Sequence, residues 1–199
     1  MRRKLFIPSL LAVLLAATPF FGSQTKYDAD TAHSNIGFAV PIAGGLSQVR
    51  GKFNDFTVAI VYDDKDVSKS SVHAVIKAAS IDTGIERRDN HLRTADFFEV
   101  EKYPEITFKS SSVVKKGKGF IARGTFTMRG VSKEIELPFV INGVNRDQKT
   151  GKTTLGVTAR AKVSRRDYGI SFSQPANPTF LGDTIEIELN LITRATSPQ

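Results

Sequence analysis

The strongest constraint on the fold is a two-residue alternation of apolar and polar side chains that recurs from residue 34 to residue 193. In the clearest run, Ile135, Leu137, Phe139 and Ile141 alternate with residues that are mostly polar. Because successive side chains of a β-strand point to opposite faces, each such run predicts a strand with one apolar face. Eight runs are present, and they begin near residues 36, 56, 72, 106, 120, 135, 155 and 185.

Eight long one-sided strands can stack as a sandwich or close into a barrel. Closure removes the exposed strand edges, and eight strands enclose enough room for one elongated ligand. Polar loops with glycine at 115–119 and 145–151, and a tight turn at 129–131, fit hairpins between consecutive strands. We therefore predict an all-β fold, an eight-stranded antiparallel barrel, with the sandwich as the alternative.

One segment breaks the alternation and predicts a short helix near residues 85–95. Thr83 and Glu86 stand at the spacing of a capping box, and Ile85 and Leu92 share one helical face. A loop is then expected before the next strand.

The N-terminus has the pattern of a secretory signal peptide. Basic residues at 2–4 precede an apolar run over 5–17, and small residues follow. The apolar run is shorter than the roughly 20 residues that a membrane-spanning helix needs. We therefore expect residues 1–24 to be removed on export, and residues 25–199 to form a single domain in the periplasm without a stable membrane anchor.

Composition argues against several classes of function. The chain has no cysteine, which rules out disulfides, thiolate catalysis and lipidation at an N-terminal cysteine. Without the leader the net charge falls from +8 to +5, which does not predict binding to nucleic acid. The three histidines, His33, His73 and His91, lack metal-ligand spacing, and no nucleophile elbow or phosphate loop is present. We predict no catalytic residue, no metal and no cofactor, and a protein that is not an enzyme.

An ordered set of short blocks runs through the chain. The blocks are DTAHSNIGF (30–38), VRGKFNDF (49–56), SIDTG (80–84), RDNHL (88–92), DFF (96–98), YPEITF (103–108), GTFTMRGV (124–131) and RDYG (166–169). Taken in this order, over residues 27–193, they resemble the YceI-like family of exported polyisoprenoid-binding proteins. The resemblance implies a lipocalin-like barrel whose apolar interior holds a long prenyl or fatty chain.

One position departs from the family pattern. Many members carry a histidine shortly after the first strand's phenylalanine, where this chain has Ile42 within the segment VPIAGG. The effect of Ile42 on the orientation of a head group is left open. The variant segment indicates a sub-group with its own loop.

Affinity arithmetic limits the ligand of an apolar barrel. Burial of apolar carbon contributes about 0.8 kcal/mol per CH₂. Micromolar affinity needs about 8 kcal/mol after an association cost of roughly 4–15 kcal/mol. A purely apolar site therefore needs on the order of 15–30 buried ligand carbons, which is three or more isoprene units or a long acyl chain.

The candidate ligand-binding residues are apolar side chains of the alternating strands, although each of them could instead fill a solid core. They are Phe38, Phe53, Phe56, Ile60, Phe108, Phe126, Leu137, Phe139 and Ile141. Arg88, Asp89 and His91 form a polar cluster that could touch a head group or cover the barrel mouth. The alternative is that Arg88 and Asp89 dock the helix on the barrel through salt bridges and caps, and we favour it.

Three functions remain open at this point. The first is a carrier or sequestering protein for a polyisoprenoid, an isoprenoid quinone or a fatty acid derivative. The second is an enzyme that acts on such a lipid, and the third is an exported stress or interaction protein with a solid barrel. The ligand's head group and chain length, its donor or acceptor, and the choice between monomer and homodimer are not decided by the sequence.

Overall fold

A computed structural model describes residues 24–196. Within that range the chain forms eleven β-strands and one α-helix. They are β1 (Gln24–Ala29), β2 (Asn35–Ile42), β3 (Ser47–Phe53), β4 (Phe56–Asp63), β5 (Ser71–Lys77), β6 (Ile81–Asp82), α1 (Glu86–Arg93), β7 (Glu105–Lys116), β8 (Gly119–Met128), β9 (Val131–Arg146), β10 (Thr153–Ser164) and β11 (Thr184–Ala195).

Eight of these strands close a barrel in the order β1–β4–β5–β7–β8–β9–β10–β11. Every neighbouring pair is antiparallel, and β11 pairs back with β1, where Ala195 lies opposite Tyr27. The predicted eight-stranded antiparallel barrel is therefore confirmed.

The strand at β2 belongs to an extension of the sheet rather than to the closed ring. The first half of β11 pairs with β2, with Glu186 opposite Ala39, and its last residues pair with β1. Strands β3 and β6 continue the sheet outward from β2. The β2–β3 hairpin therefore extends the barrel wall at the end where β11 begins, and its Phe38 and Phe53 line the interior.

The single helix of the described residues lies within the predicted range, but it begins differently. Its N-cap residue is Ile85, which makes no side-chain cap, so the predicted capping box is wrong. The backbone N–H of Thr83 instead donates to Oδ1 of Asp89 at 3.0 Å. Asp89, in the middle of the helix, therefore links α1 to the preceding loop, and the N-cap residue makes no side-chain hydrogen bond to the first turn.

Side-chain burial follows the predicted alternation along the ring strands. Phe108, Phe126, Leu155 and Val157 are buried and face inward. At the turn between β8 and β9, Arg129 and Gly130 both have positive φ, as a two-residue type I′ hairpin requires.

The described range also bears on the N-terminal predictions. Apart from Gln24, the predicted signal peptide lies outside the described residues, and β1 begins at Gln24. From residue 24 to residue 196, no helix has the length and apolar character needed to cross a membrane.

Candidate ligand-binding cavity

The barrel encloses a cavity of about 970 Å³. Leu155 and Val163, near the two ends of β10, both line it. Eight residues of strand at about 3.3 Å each separate them by about 26 Å, so the cavity follows most of the strand's length. Because barrel strands tilt by about 40° from the axis, the cavity is about 20 Å long and has a mean cross-section of about 48 Å², which is the shape of an elongated tube.

The wall of this tube is apolar and comes from every strand of the ring except β1, together with β2 and β3. Strands β9 and β10 contribute much of this wall. Every second side chain of each strand points inward, and most of these side chains are Ile, Leu, Val or Phe. Eight of the nine predicted ligand-binding residues line the cavity: Phe38, Phe53, Ile60, Phe108, Phe126, Leu137, Phe139 and Ile141.

Phe56 is the exception among the predicted wall residues. It is 4% exposed and packs within the core cluster, but it does not line the cavity. Phe56 is the first residue of β4 and lies opposite Ile76, near the end of β5. The alternation of apolar and polar residues placed Phe56 correctly on the inner face of β4. It could not show that neighbouring side chains fill the barrel at this end of the strand.

The cavity opens at the end of the barrel that carries α1. Six of its seven exposed lining residues gather there, and the seventh, Ser71, lies at the opposite end. The six are on the helix, on the loops around it and on the segment between β10 and β11; they are Ile85, Arg87, Asn90, His91, Thr94 and Gln174. Ile42 and Val49, on either side of the β2–β3 hairpin, and Phe180 complete the rim. We call this opening the mouth.

His91 joins the helix to the opposite side of the mouth. Its ring stands perpendicular to the rings of Phe97 and Phe172, with centroids 5.1 Å and 5.0 Å away. On its polar side, Nε2 lies 2.7 Å from Oδ2 of Asp96. His91 therefore packs against two phenyl rings at the mouth while its ring nitrogen contacts a carboxylate.

Arg88 and Asp89 both form hydrogen bonds with Thr83. Arg88 donates through Nε to the Thr83 hydroxyl at 2.7 Å and through Nη2 to the Thr83 carbonyl at 2.8 Å. Asp89 is buried, accepts from the Thr83 backbone and hydroxyl, and does not line the cavity. Of the three predicted mouth residues, Arg88 and His91 reach the cavity, whereas Asp89 serves to dock the helix.

Arg165 is a structural anchor of the mouth that the sequence analysis did not identify. It is 2% exposed and donates to the carbonyls of Ile170, Phe172 and Gly182 at 2.8–3.0 Å. Burial lowers the pKa of its guanidinium, while Asp183, at 2.8 Å, acts in the opposite direction. Arg165 thereby fixes the segment that carries Phe172. No sequence pattern distinguishes it from the neighbouring Arg166.

The opposite end of the tube carries few polar groups. Tyr62, Ser70 and Ser71 line it there. Burial, followed by the nearby Asp64, raises the pKa of the Tyr62 phenol, so this group stays neutral. The three arginines that line the cavity all lie at the mouth, the end of the barrel that carries α1; they are Arg87, Arg88 and Arg165.

The family model for the YceI-like domain matches residues 27–193 of this chain. The chain belongs to the YceI-like family. The match covers the whole ring of strands, the helix and the β2–β3 hairpin, so the family predicted from the ordered blocks is confirmed.

Relatives of this YceI-like protein agree with that assignment. A UPF0312 protein of Serratia proteamaculans (strain 568) is 36% identical over 160 residues, which cover 80% of this chain and 82% of that protein. The crystal structure of the YceI protein of Campylobacter jejuni superposes with a TM-score of 0.69 at 32% identity, and covers 76% of this chain and 88% of that one.

A more distant structure shares the fold. A polyisoprenoid-binding domain from Saccharophagus degradans superposes with a TM-score of 0.59 at 17% identity, over 85% of this chain and 98% of that domain.

Between residues 24 and 196 of the present chain, no three His, Asp or Glu side chains gather in a way that could hold a metal ion.

Proposed function

We propose that this YceI-like protein carries or sequesters one long-chain apolar lipid inside its barrel, in the periplasm. The observation that carries the proposal is the elongated apolar cavity of about 970 Å³. A barrel with a solid core, which was one alternative, would have no such space. The family and the polyisoprenoid-binding domain of Saccharophagus degradans support a prenyl lipid as the occupant.

The cavity volume supports a specific range of ligand size. Taking about 30 Å³ for each water-sized heavy atom, 970 Å³ holds on the order of 30 heavy atoms. That number meets the upper end of the 15–30 carbons that an apolar site needs for micromolar affinity. A prenol of four to six isoprene units, or a fatty acid derivative of similar length, satisfies both limits.

The polar groups at the mouth support one orientation of the ligand. The chain would occupy the tube, and the head group would lie at the α1 end, near Arg88, His91 and Gln174. Arg87 adds an exposed charge at the same place. At the position where many relatives carry histidine, Ile42 makes the hairpin side of the mouth apolar, so the helix supplies the polar contacts.

The contacts at the mouth support binding rather than catalysis. Asp89 directs its carboxylate to Thr83 and away from the cavity. His91 is held by Asp96 and by two phenyl rings. Neither group faces the tube as a free acid or base beside a nucleophile.

Competition with a fluorescent fatty acid tests the proposal. The protein is saturated with cis-parinaric acid, and prenols of known length are then added. We expect a C20 or C30 prenol to displace the probe at a stoichiometry of one per chain. If no prenol and no fatty acid enters the protein, the proposed function is wrong.

A further inference from the structure

One side of the mouth has a composition unlike the rest of the chain. Residues 34–49 and 170–182 contain no Asp, Glu, Lys or Arg, in a chain with 24% charged residues. The two segments meet, because the Ala43 N–H donates to the Phe180 carbonyl and the Gly182 N–H donates to the Pro41 carbonyl, both at 2.8 Å. Residues 41–46 are all apolar, and we call them the apolar lip; residues 170–182 support it from the side.

Leu46 projects from the tip of this lip. It is 91% exposed, more than any other large apolar side chain of the described residues. Two backbone hydrogen bonds hold the tip: the Ala43 N–H donates to the Phe180 carbonyl, and the Leu46 N–H donates to the Ala43 carbonyl. Leu46 does not line the cavity, so neither the core nor the tube accounts for it.

The helical side of the mouth places a second apolar residue next to a positive charge. Ile85 is 53% exposed and lines the cavity at the start of α1. Glu86 and Arg87 come next, both exposed, and neither side chain has a hydrogen bond or ion pair with any described residue. The long Arg87 side chain also reaches the cavity opening, whereas Glu86 does not line it. An apolar tip and an unpaired arginine around one opening match the two layers of a membrane surface, acyl chains and anionic phosphates.

We propose that the apolar lip docks reversibly on an anionic phospholipid bilayer, so that the lipid enters the tube directly from the membrane. This inference rests on the proposed function. Each CH₂ of a lipid chain lowers the equilibrium ratio of lipid in water to lipid in the bilayer by about fourfold. A C30 prenol therefore almost never crosses water unaided. Leu46 and Ile85 enter the headgroup boundary, Arg87 contacts phosphate, and the mouth between them then faces the membrane.

The chemistry of this contact predicts weak and reversible binding. Burying one leucine side chain favours association by about tenfold or more. Two apolar side chains and one arginine are far fewer contacts than a permanent anchor needs. The protein can therefore load at the membrane and leave it again, as a carrier must.

Vesicle flotation of protein expressed from the full-length sequence tests the docking surface. The vesicles contain phosphatidylglycerol and phosphatidylethanolamine at 1:3 and carry a C30 prenol, and the bound protein and the rate of prenol transfer are both measured. We expect Leu46→Asp to reduce the bound fraction about tenfold and to slow transfer at least fivefold. Arg87→Gln should reduce the preference for these vesicles over neutral phosphatidylcholine vesicles.

Val140→Asp is the matched control, since Val140 is 49% exposed on β9, outside the apolar lip. It should behave as the wild type does. Transfer that is equally fast in Leu46→Asp and wild type would overturn the proposal. So would a wild-type dimer that Leu46→Asp converts to a monomer without any vesicle binding, because the lip would then be an interface between two copies.

Uptake of the same prenol from a cyclodextrin complex separates this proposal from the function on which it rests. Both variants and the wild type should take up the prenol equally well by this route, because Leu46 and Val140 lie outside the cavity wall. If the wild type takes up none, the proposed function fails. If all take it up and transfer from vesicles is independent of Leu46, only the docking proposal fails.

Discussion

The imidazole ring of His91 stands perpendicular to the phenyl ring of Phe172, with the two centroids 5.0 Å apart. This contact joins α1 to the segment between β10 and β11, across the mouth of the cavity. Arg165 fixes the Phe172 side by donating to its backbone carbonyl at 2.8 Å, and Asp96 fixes the His91 side. The His91–Phe172 pair is one of two ring contacts between these anchored segments, and the other joins Phe97 to Phe172 with centroids 4.9 Å apart.

Loss of this pair should speed ligand release. An aromatic pair contributes about 0.5–1.5 kcal/mol, which corresponds to roughly a 2- to 10-fold change in rate. We expect His91→Ala and Phe172→Ala each to raise the dissociation rate of bound cis-parinaric acid within this range, as measured by stopped-flow displacement. His73→Ala, which removes an exposed histidine on β5, is the control. Equal rates for His91→Ala and His73→Ala would contradict a role of the contact in closing the mouth.

A bulky residue in the middle of the tube should block long ligands. Ala74 on β5 lines the cavity and lies opposite Phe108, whereas the adjacent Val75 points to the other face and does not line it. We expect Ala74→Phe to weaken binding of a C30 prenol at least tenfold in the displacement assay. Val75→Phe should leave the affinity close to that of the wild type. If the two variants behave alike, the ligand does not pass Ala74.

Affinity should increase with chain length and then level off. Each added CH₂ contributes at most about 0.8 kcal/mol while it enters the tube. The cavity is filled at on the order of 30 heavy atoms. Displacement by C10, C15, C20, C30 and C45 prenols should therefore show rising affinity up to about C30 and little gain beyond it. A continued rise from C30 to C45 would show that the chain extends into a space other than this cavity.

Low pH should weaken the pairing of β1 with β11, which closes the barrel. A hydrogen bond from Arg194 in β11 is the main cause that holds the pKa of Asp30, just after β1, below its usual value. The Arg194 Nε lies 2.9 Å from Oδ2 of Asp30. Because the folded-state pKa is the lower one, this contact stabilises the fold above the unfolded value of about 3.9 and is lost as the pH falls through the folded pKa.

Urea unfolding of the wild type and Asp30→Asn between pH 7 and pH 2 measures this effect. The wild type should be more stable at pH 7, and the difference should disappear as the pH falls below about 4. Asp28→Asn is the control, because the nearest lysine nitrogen, on Lys26, lies 4.0 Å away. A difference between wild type and Asp30→Asn that does not change with pH would contradict the assignment.

The apolar faces of the barrel could be predicted from the sequence because side-chain direction in a strand depends only on position parity. That rule placed Phe108, Leu137 and Ile141 on the cavity wall correctly. It overlooked β1 and β3, which are mostly polar along both faces: Tyr27 is the one buried residue of β1, and Phe53 is the one buried residue of β3. Their place in the sheet comes from backbone pairing with β11 and β2 rather than from a pattern of their own.

The site was predictable in its wall but less so at its mouth. The wall follows from local periodicity, whereas the mouth depends on how loops from distant parts of the chain meet. Nothing local indicates that Phe172 faces His91, or that Arg165 is buried beneath them. Thr83 shows the same limit, because its spacing to Glu86 resembled a capping box, whereas the structure pairs it with the Asp89 carboxylate.

The most direct test of the account is to identify what the protein carries when it is purified. Native mass spectrometry of the protein, followed by mass spectrometry of its organic extract, measures both stoichiometry and identity. We expect one long-chain prenyl or acyl lipid per chain, with on the order of 20–30 carbons in the tube. A protein that carries no lipid, and takes up none when C20 and C30 prenols or fatty acids are supplied, would contradict it.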